Sequence, residues 1–241
     1  MRIDCNEVGF SKKDVKAICS IGQSTKKAAD RTKGFIGEKG IGFKSVFKVA
    51  DVVHISSGPF QFKLDRRKTL GMITPILEAF PPKRYRQGQT QILLGLNGEA
   101  QVNNINEELE DVQPQLLLFL RKLSTLRVRT PSRRVRFSTE KRECDSDFAG
   151  GETIIINTLR QVNSRSKKEF HKYFVLRHTL QHLPKDERRS GVEESEIVLA
   201  FPVNENKPVI EDQFVYAYLP VDDYGFAVSC HIALARYNYS D

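Results

Sequence analysis

Gly34-Phe-Ile-Gly-Glu-Lys-Gly40-Ile-Gly-Phe-Lys-Ser45-Val-Phe-Lys-Val-Ala50-Asp-Val-Val-His-Ile-Ser-Ser-Gly58 is the most informative stretch of this chain. Gly37, Gly40 and Gly42 fall within six residues and open onto Val46, Phe47 and Val49, spaced as the start of a helix. Clustered glycines let the backbone approach a ligand closely, and N–H groups gathered at a helix start make an anion site whose natural occupant is phosphate. The segment is not a Walker A loop, because Phe43 separates the last glycine from Lys44 and Ser45. Nor is it a dinucleotide fingerprint, since Ser45 stands where the third glycine would be. Taken alone, the cluster reads equally as a tight loop that lets a helix pack on a sheet.

Upstream, Met1 to Phe10 reads as a strand entering a turn, and Ser11 with Asp14 forms a short capping box. The helix it starts shows an apolar face of Val15, Ile18 and Cys19, and Ile21 to Phe35 reads as a polar connecting segment. Downstream, strands are expected at Val52 to Ser56, Phe60 to Leu64 and Thr90 to Leu96. Asn97 to Asn104 reads as a linker before a helical stretch from about Ile105 to Leu123, interrupted by Pro114. Further strands follow at Leu126 to Arg129, Val135 to Phe137, Thr153 to Leu159, Phe170 to Arg177, Ile197 to Phe201, Phe214 to Leu219 and Phe226 to Ile232. The expected class is α+β, with a compact α/β sandwich over residues 1–100 and a β-rich domain over 101–241.

The composition is that of an ordinary globular chain: 241 residues, 39% apolar and 28% charged. Apolar runs such as Leu116 to Leu120 are far short of the roughly 20 residues that span a bilayer. With no apolar core behind a basic start in the first thirty residues, no membrane association is expected and the location expected is cytosol or nucleus. Cys5, Cys19, Cys144 and Cys230 lie too far apart for a metal or redox pair and fit reduced thiols. The net charge of +8 is uneven: residues 1–100 carry 18 Lys and Arg against 9 Asp and Glu, and 101–241 carry 20 against 21. A basic half points to a phosphorylated ligand, an anionic surface or nucleic acid, or else to a solvated basic face.

Four separated pieces stand in a definite order: Asn6-Glu-Val-Gly9-Phe10, Ser24-Thr25-Lys26, the glycine block with Val49-Ala50-Asp51, and Gly88-Gln-Thr90-Gln-Ile-Leu-Leu94. That order resembles the Bergerat-fold GHKL ATPases, the superfamily of gyrase, histidine kinases and the large heat-shock chaperone. The wording is most similar to its sacsin and NO VEIN-like branch, strongly over Met1 to Leu96. Beyond that it weakens, although Tyr216-Ala-Tyr-Leu-Pro220 through Phe226 is similar to a stretch that follows the ATPase domain in sacsin-like proteins.

The resemblance implies an adenine-nucleotide site, with ATP as ligand. Gly9 would be the second glycine of the D-x-G-x-G box that shapes the adenine pocket. Gly37, Gly40, Ile41, Gly42 and Phe43 would face the phosphates, with Ser45 just inside the helix. Ser24, Thr25 and Lys26 would belong to the lid, and Thr90 to the core strand that reaches adenine, often through water. The adenine-binding aspartate falls on Cys5, flanked by Asp4 and Asn6. Asp4 could serve only if a bulge turned it to the other face of its strand. Asn6 could offer its amide oxygen to the exocyclic amine, and both remain open. The family's helix carrying the catalytic glutamate and the magnesium-binding asparagine precedes the first glycine box, and no such helix precedes it here. The chain is therefore expected to be an N-terminally truncated fragment of a chaperone-like protein that binds ATP without hydrolysing it by itself. Magnesium would be held only if that helix were supplied, and the loss of either group would cost orders of magnitude in rate. No catalytic residue is assigned. Protein clients or self-association are the partners implied.

Two other clusters stand out in the sequence. His171, His178 and His182 have spacings open to metal ligation, but mixed strand and helix signals favour surface residues. Arg127, Arg129, Arg133, Arg134 and Arg136 alternate with apolar residues on an expected hairpin. They support a rival reading as a nucleic-acid-binding or scaffold protein with a relic ATPase fold, or simply the wet face of strands.

Overall fold

A computed structural model describes residues 1–20, 42–120, 122–143, 151–181, 194–205, 207–217, 219–226 and 228–232. The chain divides into two compact units, Met1–Glu107 and Glu108–Asp241. It is mostly strand with few helices, roughly α+β. Among the described residues no helix is long and apolar enough to cross a membrane.

The first unit is built on a five-stranded antiparallel sheet. Its strands are β1 (Arg2–Cys5), β2 (Ala50–Ser57), β3 (Phe60–Asp65), β4 (Ile76–Leu77) and β5 (Thr90–Leu96), in the order β1-β5-β2-β3-β4. Alternation along each strand sorts the two faces. Val53 and Ile55 of β2, Phe62 and Leu64 of β3 and Leu94 of β5 form the buried core, and Ile55 pairs with Phe62 on one side and Ile92 on the other. Burying side chains of this size contributes about 2 kcal/mol each.

Helix α1 (Lys12–Ile18) packs on this core through Val15, Ile18 and Cys19, the face expected from its spacing. The capping box is present: Ser11 Oγ accepts from the Asp14 N–H, and the Asp14 carboxylate accepts from the Ser11 N–H at 2.8 Å. After the glycine block the chain forms a 3₁₀ helix over Phe43–Lys48, tighter than the α-helix expected there, and Phe43, Val46 and Phe47 reach the same core.

Asn97 to Asn104 is not a linker. Helix α2 runs Gly98–Glu110, so helix begins where the asparagines suggested loop, and the boundary between the units falls inside it. Val102, Ile105 and Leu109 stand on one face at helical spacing and Ile105 is buried, which outweighs the weak helix propensity of Asn103 and Asn104.

The second unit carries the short helix α3 (Leu116–Phe119) and strands β6 (Thr125–Arg129), β7 (Arg134–Glu143), β8 (Gly151–Val162), β9 (Arg165–Leu180), β10 (Ser195–Asn204), β11 (Lys207–Pro208), β12 (Gln213–Ala217), β13 (Leu219–Phe226) and β14 (Ser229–Ile232). The sheet order is β13-β12-β14-β10-β9-β8-β7-β6, with β11 on β10 and the β12–β14 pair parallel. The single strand expected at Phe226 to Ile232 is broken between β13 and β14. One face is the core, where Ile154, Ile156, Tyr173, Val175, Val198 and Ala200 meet Leu118 and Phe119 of α3. Phe119 lies 4.3 Å from the ring of Tyr216, whose hydroxyl is pushed up to about 12 by burial.

The end of β3 carries a guanidinium–carboxylate pair. The Asp65 carboxylate, 6% exposed, accepts two guanidinium bonds of 2.8 Å from Arg67 and the Arg67 N–H at 3.2 Å. The Arg67 hydrogen bonds pull its carboxyl from 3.8 down to about 2. A depressed carboxylate stabilises the fold above its unfolded pKa and loses that contribution as pH falls through the folded one. Urea midpoints of the wild-type chain should therefore drop as pH falls from 3.8 to about 2. Asp65→Asn should drop less steeply there; an identical slope would remove Asp65 from the account.

Candidate functional site

The residues expected at the adenine end converge on the rim of the first sheet. Past β1 the chain turns through Asn6 to Gly9, and Gly9 adopts a left-handed conformation with φ of +93°. A side chain there would touch Gly58 N at 3.4 Å and Ser57 Oγ at 3.5 Å, so the turn lies against the end of β2. The next N–H, of Phe10, donates to Ser57 Oγ at 2.8 Å. Ser57 Oγ in turn lies 2.6 Å from Thr90 Oγ1, and both residues are buried. A hydroxyl has one proton and two acceptor positions. If Ser57 gives its proton to Thr90, the Thr90 proton is left to donate to a ring nitrogen or a bridging water.

The two open acceptors part company. Cys5 pairs directly with Thr90 and Asp4 with Gln91, and no bulge interrupts β1 from Arg2 to Cys5. Facing residues of an antiparallel pair share a side, so Cys5, an exposed thiol, stands on the Thr90 side. Asp4 points to the other, and the bulge it needed is absent. Asp4 belongs to a polar cluster that sequence reasoning missed. Gln91, 0% exposed, donates to Asp4 Oδ1 at 2.8 Å and to the Arg84 carbonyl at 3.1 Å, and its Oε1 accepts from the Arg86 N–H at 2.5 Å. Arg2 pairs with the same Asp4 carboxylate at 3.1 Å. This network binds residues 84–86 to the sheet and leaves Asp4 satisfied. Asn6 is exposed in the turn.

At the phosphate end, Gly42 is the first residue of the 3₁₀ turn to be described, with φ of −58°, and a side chain there would meet nothing within 4 Å. Ser45 Oγ donates to the Gly42 carbonyl at 2.7 Å, which closes the turn. Phe43 is half-buried against the core. Ser24, Thr25, Lys26, Gly37, Gly40 and Ile41 lie outside the described residues.

Lys44 is not solvated. Its ammonium donates to the carbonyls of Ile18, at the C-terminal end of α1, and Met72, where a cation complements the helix dipole. Desolvation lowers its pKa, the same effect raises that of the neighbouring Cys19, and the pair partly offset one another. Lys44 thus ties α1 to the 3₁₀ turn. His171 and His178 lie on β9 an odd number of residues apart, on opposite faces, and His182 is outside the described residues. Among the described residues no group of three His, Cys, Asp or Glu side chains is placed to hold a metal.

No known protein family matches the chain, and no solved structure does. A curated plant protein does. Over 142 residues the chain is 36% identical to Protein NO VEIN of Arabidopsis thaliana, an alignment that takes in 50% of this chain and 5% of that protein. The chain thus spans about a twentieth of the length of the relative it matches, and over that half of its own length it is NO VEIN-like.

Proposed function

We propose that the first unit binds an adenine nucleotide, ATP above all, as a Bergerat-type sandwich of the sacsin and NO VEIN-like kind. The observation that carries the reading is the Gly9–Phe10 turn seated on the buried Ser57–Thr90 hydroxyl pair. It joins, around one rim of the sheet, two of the four pieces whose order resembled the GHKL ATPases. Adenine would sit over Gly9, with Thr90 reaching a ring nitrogen and Asn6 accepting from the exocyclic amine, since Asp4 faces away. The glycine block ending at Gly42 and Phe43 would take the phosphates on its backbone N–H groups. For this chain the proposal is binding. For a longer protein containing it, hydrolysis coupled to conformational change, and protein clients, are part of the same proposal.

Titration calorimetry with ATP and ADP, each with and without magnesium, tests it. Wild-type chain should bind saturably. Gly42→Asp has room for its side chain and sets a carboxylate against the phosphates, so affinity should fall by about ten-fold or more. Thr90→Val removes a donor and should cost about ten-fold. Absence of binding by a folded wild-type chain, or binding indifferent to both substitutions, would overturn the reading.

A further inference from the structure

The core of the second unit uses one face of its sheet, and the register of β6 to β9 defines what the other face displays. Arg129 pairs with Arg134, Arg134 with Gln161, and Gln161 with Ser166, a first row across four strands. Arg127, Arg136, Leu159 and Lys168 make the second row, and Thr125, Ser138, Asn157 and Phe170 the third. No bulge interrupts these pairings, so all three rows share a side. Val128, Val135 and Phe137, the alternate residues, are buried in the core.

The cations of these rows are exposed, and among the described residues Arg127, Arg129, Arg134, Arg136 and Lys168 make no ion pair. Their neighbours are otherwise. Lys167, on the core side, pairs with Glu169 at 2.6 Å, and Arg142 with Glu140 at 2.9 Å. Arg133 spends its guanidinium on the Leu109 and Glu110 carbonyls, while the Glu110 carboxylate accepts from Thr130 and Ser132 behind the turn. The sheet thus engages several of its other described cations nearby and leaves a two-strand ladder of arginines open on this side, with rows about 7 Å apart along the strands.

Two features beside the ladder are not electrostatic. Phe170 is 74% exposed, an aromatic ring held on a rigid strand in water. Further along the same side lie Phe174 and Phe201, half-buried, with ring centroids 6.5 Å apart. At the other end, the β6–β7 turn and the Asn163–Ser164 turn, both of whose residues have positive φ, flank a polar cavity of about 410 Å³ that is open to solvent. Arg129, Arg134, Gln161, Asn163 and Ser166 line it, so guanidinium, amide and hydroxyl groups converge there.

We infer that this face binds single-stranded nucleic acid, with the arginine ladder and Lys168 on the phosphates, Phe170 as a platform for a base, and the hairpin-tip cavity taking a nucleotide at one end. Open arginines alone fit any polyanion. An exposed ring in line with them, on a regular strand spacing, is the arrangement by which sequence-tolerant single-strand binders combine backbone charge with base stacking. The site is separate from the nucleotide site of the first unit and does not depend on it.

Fluorescence anisotropy of labelled oligouridylate and oligothymidylate, at several salt concentrations and with saturating ATP present, tests the inference on the full chain. Wild type should bind with an affinity that falls as salt rises. Arg129→Gln/Arg134→Gln should lower affinity about ten-fold or more and reduce the salt slope by about 1.4, two contacts at roughly 0.7 each. Phe170→Ala should weaken binding by about five- to a hundred-fold and leave the slope unchanged. Arg160→Gln/Lys167→Gln removes equal charge from the opposite side of the sheet and should change neither. All of these positions are exposed, and far-UV circular dichroism checks that each variant folds. The inference is overturned if wild type does not bind, if the opposite-side variant loses as much as the ladder variant, or if polyglutamate competes as well as the oligonucleotide.

Discussion

Replacing Gly9 by valine is expected to abolish measurable ATP binding and to destabilise the first unit by about 2–3 kcal/mol. At φ of +93° an L side chain is strained wherever it points, and a β-branched one more so. The strain alone is about 1–2 kcal/mol. Relief requires the turn to rotate, and the turn is what aims the Phe10 N–H at Ser57 Oγ. Ser57 is wholly buried, so a lost partner there costs about 1–3 kcal/mol. It also frees Ser57 to reorient toward Thr90, taking the proton arrangement of the proposed adenine contact with it. Gly9→Ala separates the two effects. Its Cβ fits at 3.4–3.5 Å from Ser57 and Gly58, so it should carry the backbone penalty and retain weakened binding. Calorimetry paired with urea unfolding reads both; valine at position 9 binding ATP as tightly as glycine would detach the site from this turn.

How much of this could be read from the chain depends on whether the deciding partner is near in sequence. The face of α1 was legible because Val15, Ile18 and Cys19 lie within one turn of each other, and so was the alternation of Val53 and Ile55 in β2. Most strands of the second unit were found but cut short, and β13, over Leu219–Phe226, was read largely as a turn. β9 runs from Arg165 although its first residues have no apolar alternation, because pairing with β8 continues to Val162 and Arg165 at the hairpin tip. Helix α2 was hidden by Asn97, Asn103 and Asn104, whose local preference is loop, while Val102, Ile105 and Leu109 carried the helical spacing in plain view.

The candidate site shows the same division. That Asp4 needed a bulge followed from strand parity alone, but beside the nearby Arg2 its partners Gln91 and Arg86 stand more than eighty positions away, and nothing local marks Gln91 as buried. The Ser57–Thr90 hydroxyl pair joins residues thirty-three positions apart on two strands, and nothing local to Ser57 marks it as a buried partner. The alternation of Arg127, Arg129, Arg134 and Arg136 with apolar residues was visible at once. That both strands turn their arginines to one side, together with Lys168 and Phe170, requires the register.

Gly71→Ala is expected to be the most damaging alanine substitution among the described glycines of the first unit, costing about 3 kcal/mol or more and lowering the unit's melting temperature by about 10–20 °C. The cause is steric. A Cβ at position 71 would stand 1.7 Å from the Asp65 carbonyl oxygen, 2.7 Å from its carbon and 2.9 Å from the Lys68 oxygen. All three are backbone atoms, so no side chain can swing aside. The loop from Asp65 to Gly71 is held by Lys68 N to Asp65 O at 3.0 Å and Gly71 N to Lys68 O at 2.9 Å. Opening it breaks both and displaces the Met72 carbonyl from Lys44. Gly58→Ala is the contrast: its φ of +55° is left-handed, but a Cβ there meets nothing within 4 Å, so the cost should be about 1 kcal/mol. The ordering runs against a rule that ranks glycines by φ, and a Gly71→Ala chain unfolding within 1 kcal/mol of wild type would refute the steric account. The same loop positions Arg67 on Asp65. Gly71→Ala should therefore flatten the acid dependence of stability between 3.8 and about 2, whereas Gly58→Ala should leave that slope intact, which distinguishes a broken loop from a uniformly weakened fold.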